Sequence, residues 1–496
     1  MLEKNKQYEA VVTDYTAEGQ GVAHVEGCVV FLPNAIAGEK YLVRIEKAAK
    51  TWAAGKIVEI LEKSPHRLQR ECPISSSCGG CDFWHMDYAE ESRLKAKRVL
   101  DALNRIGGEN LQDMPILSAP TCYGYRNKAQ YPIGTDKDGQ PIAGFYAGRT
   151  HSIIANTDCY LGVEENKEIL EIVMDYMKEN HVTAYDESTQ KGLIRHVLIR
   201  KGFTSGEIMV CLVINKKGRN GVKEGFLPAQ DELVKALQAV KGMTSISVSI
   251  NTENTNVIMG KEVHTIWGKD TISDTIHVRD TENDFALTGD GITFAISPLS
   301  FYQVNPGQTE KLYSLALDYA DLTGNETVWD LYCGIGTISL FLAGKAKQVY
   351  GVEIIPQAID DARENAKRNH IENATFFVGK AEEVLQEFYE KQLQECTELS
   401  SPDEDGAVSG ECAGADMLHP DVIVVDPPRK GCDEKCLDTM LKMQPKRIVY
   451  VSCDSATLAR DLRILCDGGY ALKRVRPVDQ FAQGVHVETC VLLCRA

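Results

Sequence analysis

The chain has 496 residues, of which 54 are basic and 71 acidic, for a formal net charge of -17. With 43% hydrophobic and 25% charged residues it has the composition of a soluble globular protein of about three domains, which excludes global disorder. No apolar run approaches the roughly 18 residues of a membrane span and MLEKNKQYEA has no signal-peptide core, so a cytoplasmic protein without a membrane partner is expected.

Acidity of this size argues, at face value, against a nucleic-acid partner. The charge is uneven, however. Residues 1–130 carry 17 basic and 17 acidic residues, whereas residues 382–416 carry 11 acidic residues and one basic, Lys391. That single stretch holds -10, leaving -7 over the other 461 residues.

Residues 4 to about 62 predict a small β-barrel: YEAVVTDYT, GVAHVEGCVVFLP, EKYLVRIEKA and AAGKIVEIL are β-rich runs separated by turn residues. Lys40, Arg44, Lys47, Lys50 and Lys56 fall near Trp52, a combination that suits phosphates and bases, or else a solvated barrel face. A cysteine-rich turn follows, Cys72-x5-Cys78-x2-Cys81, with Cys159 far downstream in Thr157–Leu161. Three close thiols and one distant one can make a tetrahedral site for zinc or hold an iron–sulfur cluster, and spacing alone does not separate the two. A helix is predicted from Tyr88 to Arg105, carrying Arg93, Lys95, Lys97 and Arg98. Residues 120–290 read as α+β, with strands such as IRHVLIRK, EIMVCLVIN and SISVSINTEN.

From about Ser297 the runs TVWDLYCG, QVYGVEII, ATFFVGKA, DVIVVDPP, RIVYVSCD and ETCVLLCRA alternate with helical segments, which predicts a doubly wound α/β sheet covered on both faces. Glu395 to Asp416 interrupts it with a polar, acidic, Ser/Gly-rich insertion whose Cys396 and Cys412 read as surface thiols.

Four motifs fall at predicted strand ends. In Trp329-Asp330-Leu331-Tyr332-Cys333-Gly334-Ile335-Gly336-Thr337, two glycines permit close approach of a ligand, and Glu353 at the next strand end can accept ribose hydroxyls. Ser339 stands where a dinucleotide fingerprint has its third glycine, and adenosylmethionine has no phosphate that needs one. In Asp426-Pro427-Pro428-Arg429-Lys430-Gly431, the prolines stiffen a turn that holds Asp426 at the sheet's mouth. Cys453 in VSCD precedes the helical segment SATLARDLRIL, whose N-terminus is expected to lower the thiol pKa. Glu488 opens the last strand. A thiolate that adds to C6 of a pyrimidine, and a base that removes the C5 proton, are the two groups C5 methylation needs.

Together, SCDSATLARD, DPPRKG, FYQVN (Phe301–Asn305) and the cysteine spacing resemble the S-adenosylmethionine-dependent RNA uracil-C5 methyltransferases, specifically the branch acting on 23S ribosomal RNA. The resemblance implies an OB-like TRAM barrel over residues 1–62 and a central α+β domain over 63–290 with an iron–sulfur site. It further implies a Rossmann-like methyltransferase domain over 291–496, interrupted at about 395–416. It also implies Cys453 as nucleophile, Glu488 as general base, and Gln303, Tyr332, Glu353 and Asp426 as adenosylmethionine contacts. Cys72, Cys78, Cys81 and Cys159 are the implied ligands of a [4Fe-4S] cluster, RNA the partner and a monomer the acting form. An RNA cytosine-C5 methyltransferase would place its thiol in a Pro-Cys or Thr-Cys-Ser context rather than SCD. A radical adenosylmethionine enzyme would space its cysteines x3 and x2, and a non-catalytic RNA-binding protein would have no need of both Cys453 and Glu488. A transfer-RNA target, uridine 54, remains an alternative to 23S RNA. On this reading the cationic residues Lys47, Lys50, Lys97 and Arg98 face RNA, and the acidic insertion is dispensable.

Overall fold

The structure, a computed structural model, describes residues 2–69, 71–148, 150–216, 225–399 and 419–496. Residues 400–416 of the acidic insertion therefore lie outside the described residues, while Glu395–Leu399 end a helix.

Strands β1 (Gln7–Tyr15), β2 (Gly21–Val25), β3 (Cys28–Leu32), β4 (Lys40–Ala48) and β5 (Trp52–Glu62) close a barrel in the order β1-β2-β3-β5-β4. Alternation drives it: Tyr41, Val43 and Ile45 of β4 point inward beside Val30 and Leu32, while Arg44 and Glu46 face out. The barrel is docked on helix α1 (Tyr88–Arg105), where the Tyr15 hydroxyl donates to Glu90 (3.2 Å) and Lys97 pairs with Asp14 (3.4 Å). Asp87 caps that helix by accepting from the Glu90 amide at 2.9 Å.

The central sheet comprises β6 (Lys128–Thr135), β7 (Pro141–Tyr146), β8 (Ile153–Ala155), β9 (Ile194–Lys201), β10 (Ile208–Ile214), β11 (Met243–Ile250) and β12 (Glu262–Gly268). They run in the order β12-β11-β10-β9-β6-β7-β8, with α2 (Glu165–Glu179) and α3 (Gln230–Gln238) packed on a shared core. Buried Arg200 of β9 donates to the Ser300 carbonyl, and Asn127 Nδ2 to the Gln303 carbonyl at 2.9 Å. The central domain thereby holds the FYQVN segment.

A hairpin of β13 (Ile272–Asp280) and β14 (Ala286–Ile296) precedes α4 (Pro306–Ala320). This hairpin packs on the C-terminal core through Ile272, Ile276, Phe294 and Ile296, so that core begins before the expected boundary at 290. The C-terminal domain then alternates β15 (Thr327–Leu331), α5 (Thr337–Ala343), β16 (Gln348–Glu353), α6 (Pro356–Arg368), β17 (Ala374–Val378), α7 (Ala381–Leu399), β18 (Val422–Val425), α8 (Glu434–Met443), β19 (Arg447–Ser452) and α9 (Ser455–Asp467). It ends with β20 (Tyr470–Val478) and β21 (Glu488–Arg495). The sheet order is β17-β16-β15-β18-β19-β21-β20, parallel except where β21 runs against β19 and β20.

Period-2 alternation sorts the strand side chains to two faces. Val328, Val349, Val424 and Val449 join α4, α5 and α6, while Trp329, Leu331, Ile423 and Tyr450 join α7, α8 and α9. Helix α1 covers the second face too, through Val99 and Leu103. Strand β20 escapes the sequence patterns because LKRVR puts charges into a partly exposed edge strand.

Candidate active site

Chain order reverses between β15 and β18, and ligands of open α/β sheets bind at the carboxyl ends beside such a switch point. The predicted residues converge on that edge. Tyr332 follows β15, Glu353 ends β16, Asp426 follows β18 and Cys453 follows β19. Because β21 runs antiparallel, its first residue, Glu488, also arrives there. Ser452 stands opposite Thr489 in the ladder, which puts Cys453 across from Glu488.

The turn after β15 needs unusual backbone. Tyr332, Gly334 and Gly336 have φ of 68°, 55° and 81°, and a Cβ at Gly336 would come within 3.1 Å of Phe376. The Gly334 amide donates to Glu353 Oε2 at 3.3 Å and the Ile355 amide to Oε1 at 3.0 Å, fixing the carboxylate at the turn. Ser339 donates to buried Asp330, whose carboxyl is pushed up to about 7 by burial, then by the charges of Asp426 and Glu353. The Tyr332 ring packs among the side chains of the α7–α8 face, near Cys436 and Cys432.

Cys453 is half-buried, and its neighbour Asp454 caps α9 by accepting from the Ala456 and Thr457 amides at 3.0 and 2.9 Å. The expected lowering of its pKa does not hold. Burial, then the carboxylates of Glu488 and Asp426, push the thiol up to about 11, against only a partial offset from Arg429. Glu488, 4% exposed, is held well above the ordinary carboxylate range by burial and by Asp426, with Arg429 again opposing. Asp426 is itself raised to about 7 by burial. The pair of like-charged carboxyls cannot readily ionise together, so the resting site keeps a thiol beside a carboxyl pair that retains proton.

Two residues were not singled out by the sequence. Buried Tyr313 of α4 bonds Thr337 Oγ1 at 3.2 Å and feels the charges of Asp426 and Glu488, which puts it beside the strand-end carboxyls. No periodicity marks it among the buried residues of α4. Arg429, inside DPPRKG, is the cation common to Cys453, Glu488 and His486. Its loop is anchored by Asp461, which accepts from the Cys432 amide (2.8 Å), the Tyr450 hydroxyl (2.7 Å) and Arg460 (2.8 Å).

The four predicted cysteines come together elsewhere. Cys72, Cys78, Cys81 and Cys159 line one cavity of about 410 Å³ whose wall includes Arg126 and Lys128. Burial pushes up the thiols of Cys78, Cys81 and Cys159, while Arg126 favours the thiolates of Cys81 and Cys159. Among the described residues no three His, Cys, Asp or Glu side chains are arranged to hold a single metal ion.

Of the predicted RNA-facing cations, Lys47 lies over the Trp52 ring at 5.1 Å and Lys50 is exposed on the barrel. Lys97 and Arg98 also have partners within the protein. Lys97 pairs with Asp101 (2.6 Å) and Asp14, and Arg98 donates to the Val485 carbonyl (2.9 Å).

The sequence pattern of the TRAM domain matches residues 2–58, and that of the tRNA (uracil-5-)-methyltransferase family matches residues 231–496. The chain is 41% identical over 493 residues to an "uncharacterized RNA methyltransferase" of Clostridium tetani, covering 99% of this chain and 97% of that one. It is 43% identical over 494 residues to one of Halalkalibacterium halodurans, covering 99% and 98%. Its fold is similar to that of the Pyrococcus abyssi tRNA (uracil-54, C5)-methyltransferase solved with S-adenosyl-L-homocysteine, at a TM-score of 0.71 and 23% identity, covering 98% of this chain and 100% of that one. With a barrel that matches TRAM, a sheet with its switch-point residues, and relatives alike over nearly their whole length, the chain belongs to the tRNA (uracil-5-)-methyltransferase family of RNA methyltransferases.

Proposed function

We propose that the chain methylates C5 of a uridine in 23S ribosomal RNA, with S-adenosylmethionine as donor and Cys453 as covalent nucleophile. The observation that carries this reading is the placement of Cys453 opposite Glu488 across the β19–β21 ladder, with Asp426 beside both. Gln303, Glu353, Asp426 and the backbone at Tyr332 are the residues that would hold the donor, and the left-handed glycine turn offers a close approach for it. When bound, adenosylmethionine supplies an electrophilic methyl group on a positively charged sulfonium, a charge that favours ionised Cys453 and Glu488.

The target base is flipped out of its stack into the site. Cys453 adds to C6, which makes C5 nucleophilic; after methylation at C5, Glu488 takes the C5 proton and Cys453 is expelled. The test is Cys453→Ala, which should bind RNA yet form no 5-methyluridine, together with RNA carrying 5-fluorouridine, which should trap a covalent adduct on the unaltered enzyme. Methylation by the alanine variant refutes the assignment.

A second reading, a transfer-RNA uridine such as uridine 54, is favoured by the likeness over the whole chain to the Pyrococcus abyssi enzyme. A barrel joined to a methyltransferase domain therefore does not by itself separate the two RNAs. Mapping 5-methyluridine in both RNAs of a deletion strain decides between them. We also propose that Cys72, Cys78, Cys81 and Cys159 hold a [4Fe-4S] cluster. Four soft sulfur donors around one cavity, with Arg126 to balance thiolate charge, suit such a group. Iron and acid-labile sulfide in anaerobically purified protein, lost together in each of the four Cys→Ser variants, is the expected result; zinc in their place overturns it.

A further inference from the structure

The segment from Asp479 to Val487 connects β20 to β21 and delivers Glu488 to the sheet edge. It has no regular structure of its own, yet Asp479 and Gln480 are fully buried and Gln483 nearly so. Its backbone and side chains are gripped from outside the catalytic domain. Lys95 of α1, 1% exposed, donates to Asp479 Oδ1 (2.7 Å), to Glu91 Oε1 (2.7 Å) and to the Phe481 carbonyl (3.0 Å). Glu91 Oε1 also accepts from the Gln483 amide (2.7 Å), and the Tyr88 hydroxyl donates to Asp479 Oδ2 (2.6 Å). From the cysteine loop, the Asp82 amide donates to the Gln483 carbonyl (2.8 Å) while Asp82 Oδ2 accepts from the Val485 amide (3.1 Å). The Tyr125 hydroxyl donates to the Ala482 carbonyl (2.8 Å).

Burying one ammonium between two carboxylates is a poor way to gain stability, because desolvation consumes the Coulombic attraction and well-packed apolar groups do as well. What a buried, fully engaged ammonium provides is a fixed geometry. Here its three bonds join two turns of α1 to the start of the connecting segment, nine residues before the carboxylate whose placement decides proton removal.

We propose that Lys95 is a positioning residue for Glu488: through Asp479, Glu91 and Phe481 it fixes the connecting segment so that the carboxylate meets the C5 proton. The inference rests on the reading of Glu488 as general base. In the step concerned, the C5–H bond breaks and its proton goes to Glu488. The electron pair forms the C5–C6 double bond, and the C6–S pair returns to Cys453 as thiolate. Attack by Cys453 and methylation come earlier and do not use Glu488. A misplaced carboxylate therefore leaves a methylated protein–RNA adduct waiting, a signature that general loss of fold does not produce.

The experiment uses the full chain, tritiated methyl donor and total RNA from a deletion strain, and reads turnover alongside the fraction of methylated adduct that survives denaturing electrophoresis. Lys95→Met should lower turnover by up to about a hundred-fold, the order of cost of a 1 Å error in the placement of a catalytic group, and it should raise the adduct fraction as Glu488→Gln does. Tyr88→Phe removes one grip on Asp479 but leaves the ammonium in place, and should raise the fraction less. Adduct in Glu488→Gln with none above the unaltered enzyme in Lys95→Met overturns the inference alone. If Lys95→Met does not fold, Tyr88→Phe decides in the same way. No adduct in Glu488→Gln overturns the base assignment, and the inference falls with it.

Discussion

The charge arrangement around Cys453 makes a quantitative prediction about the free enzyme. With its thiol near 11 rather than the ordinary 9.0, Cys453 is ionised at pH 8 in about one molecule in a thousand, against about one in ten for an unperturbed thiol, and only the thiolate alkylates. Its reaction with iodoacetamide, followed by peptide-resolved mass spectrometry, should therefore be about a hundred-fold slower at pH 8 than that of an exposed thiol. The rate should climb about ten-fold per pH unit until the pH nears the pKa. Arg429 is the charge that favours the thiolate, and it is exposed. A guanidinium in that setting is worth at most about 1 kcal/mol, so Arg429→Gln should slow alkylation by up to about five-fold at a given pH. Alkylation of Cys453 at the rate of an exposed thiol, or a faster reaction in Arg429→Gln, would show that the carboxyl pair does not govern the thiol.

Asp330 and Asp426 are each raised to about 7 in the fold. Their contribution to stability is complete below about pH 4 and lost as the pH rises through about 7, so the melting temperature of the free protein should fall over that window and fall less in Asp330→Asn combined with Asp426→Asn; equal slopes would refute this. Gly19 has φ of 74°, and a Cβ there would come within 2.5 Å of Phe83 and 3.0 Å of Val485. Gly19→Ala should cost about 1–3 kcal/mol of stability, read by denaturant unfolding. Neutralising Lys47 and Lys50 together should weaken RNA binding and shrink the slope of log K against log salt by about 1.4, at roughly 0.7 per lost phosphate contact to a single strand. An unchanged slope would place the RNA elsewhere. Deleting residues 400–416 removes acidic charge and should leave methylation intact or tighten RNA binding.

The C-terminal sheet was legible because its strands are short apolar runs, each ending in a polar or glycine-bearing break, and the candidate site residues fall in those breaks. Cys453, Glu488 and Asp426 could be read from sequence as strand-end residues. Their mutual electrostatics could not, since the carboxyls that raise the thiol lie 35 and 27 residues away in the chain and meet it only through strand pairing. A local rule, the helix N-terminus after Cys453, gave the wrong direction because burial and two neighbouring carboxyls outweigh one helix end. Sequence shows Lys97 and Arg98 only as charge, and their partners within the protein, Asp101 and the Val485 carbonyl, emerge only in space. Tyr313 had no sequence signal, being one more large residue on a helix buried nearly all round.

The docking of the barrel has a further consequence. Tyr15, Asp14 and the Gly19 turn are pressed against α1, Phe83 and Val485, three residues short of Glu488. On the proposed function, an RNA strand held by the barrel and a base inserted beside Cys453 would be separated by a span that this docking sets. The two sites would then act as the ends of a ruler: an accepted uridine would be one whose neighbouring strand reaches the barrel at that distance, and selection would rest on RNA shape as much as on the base itself.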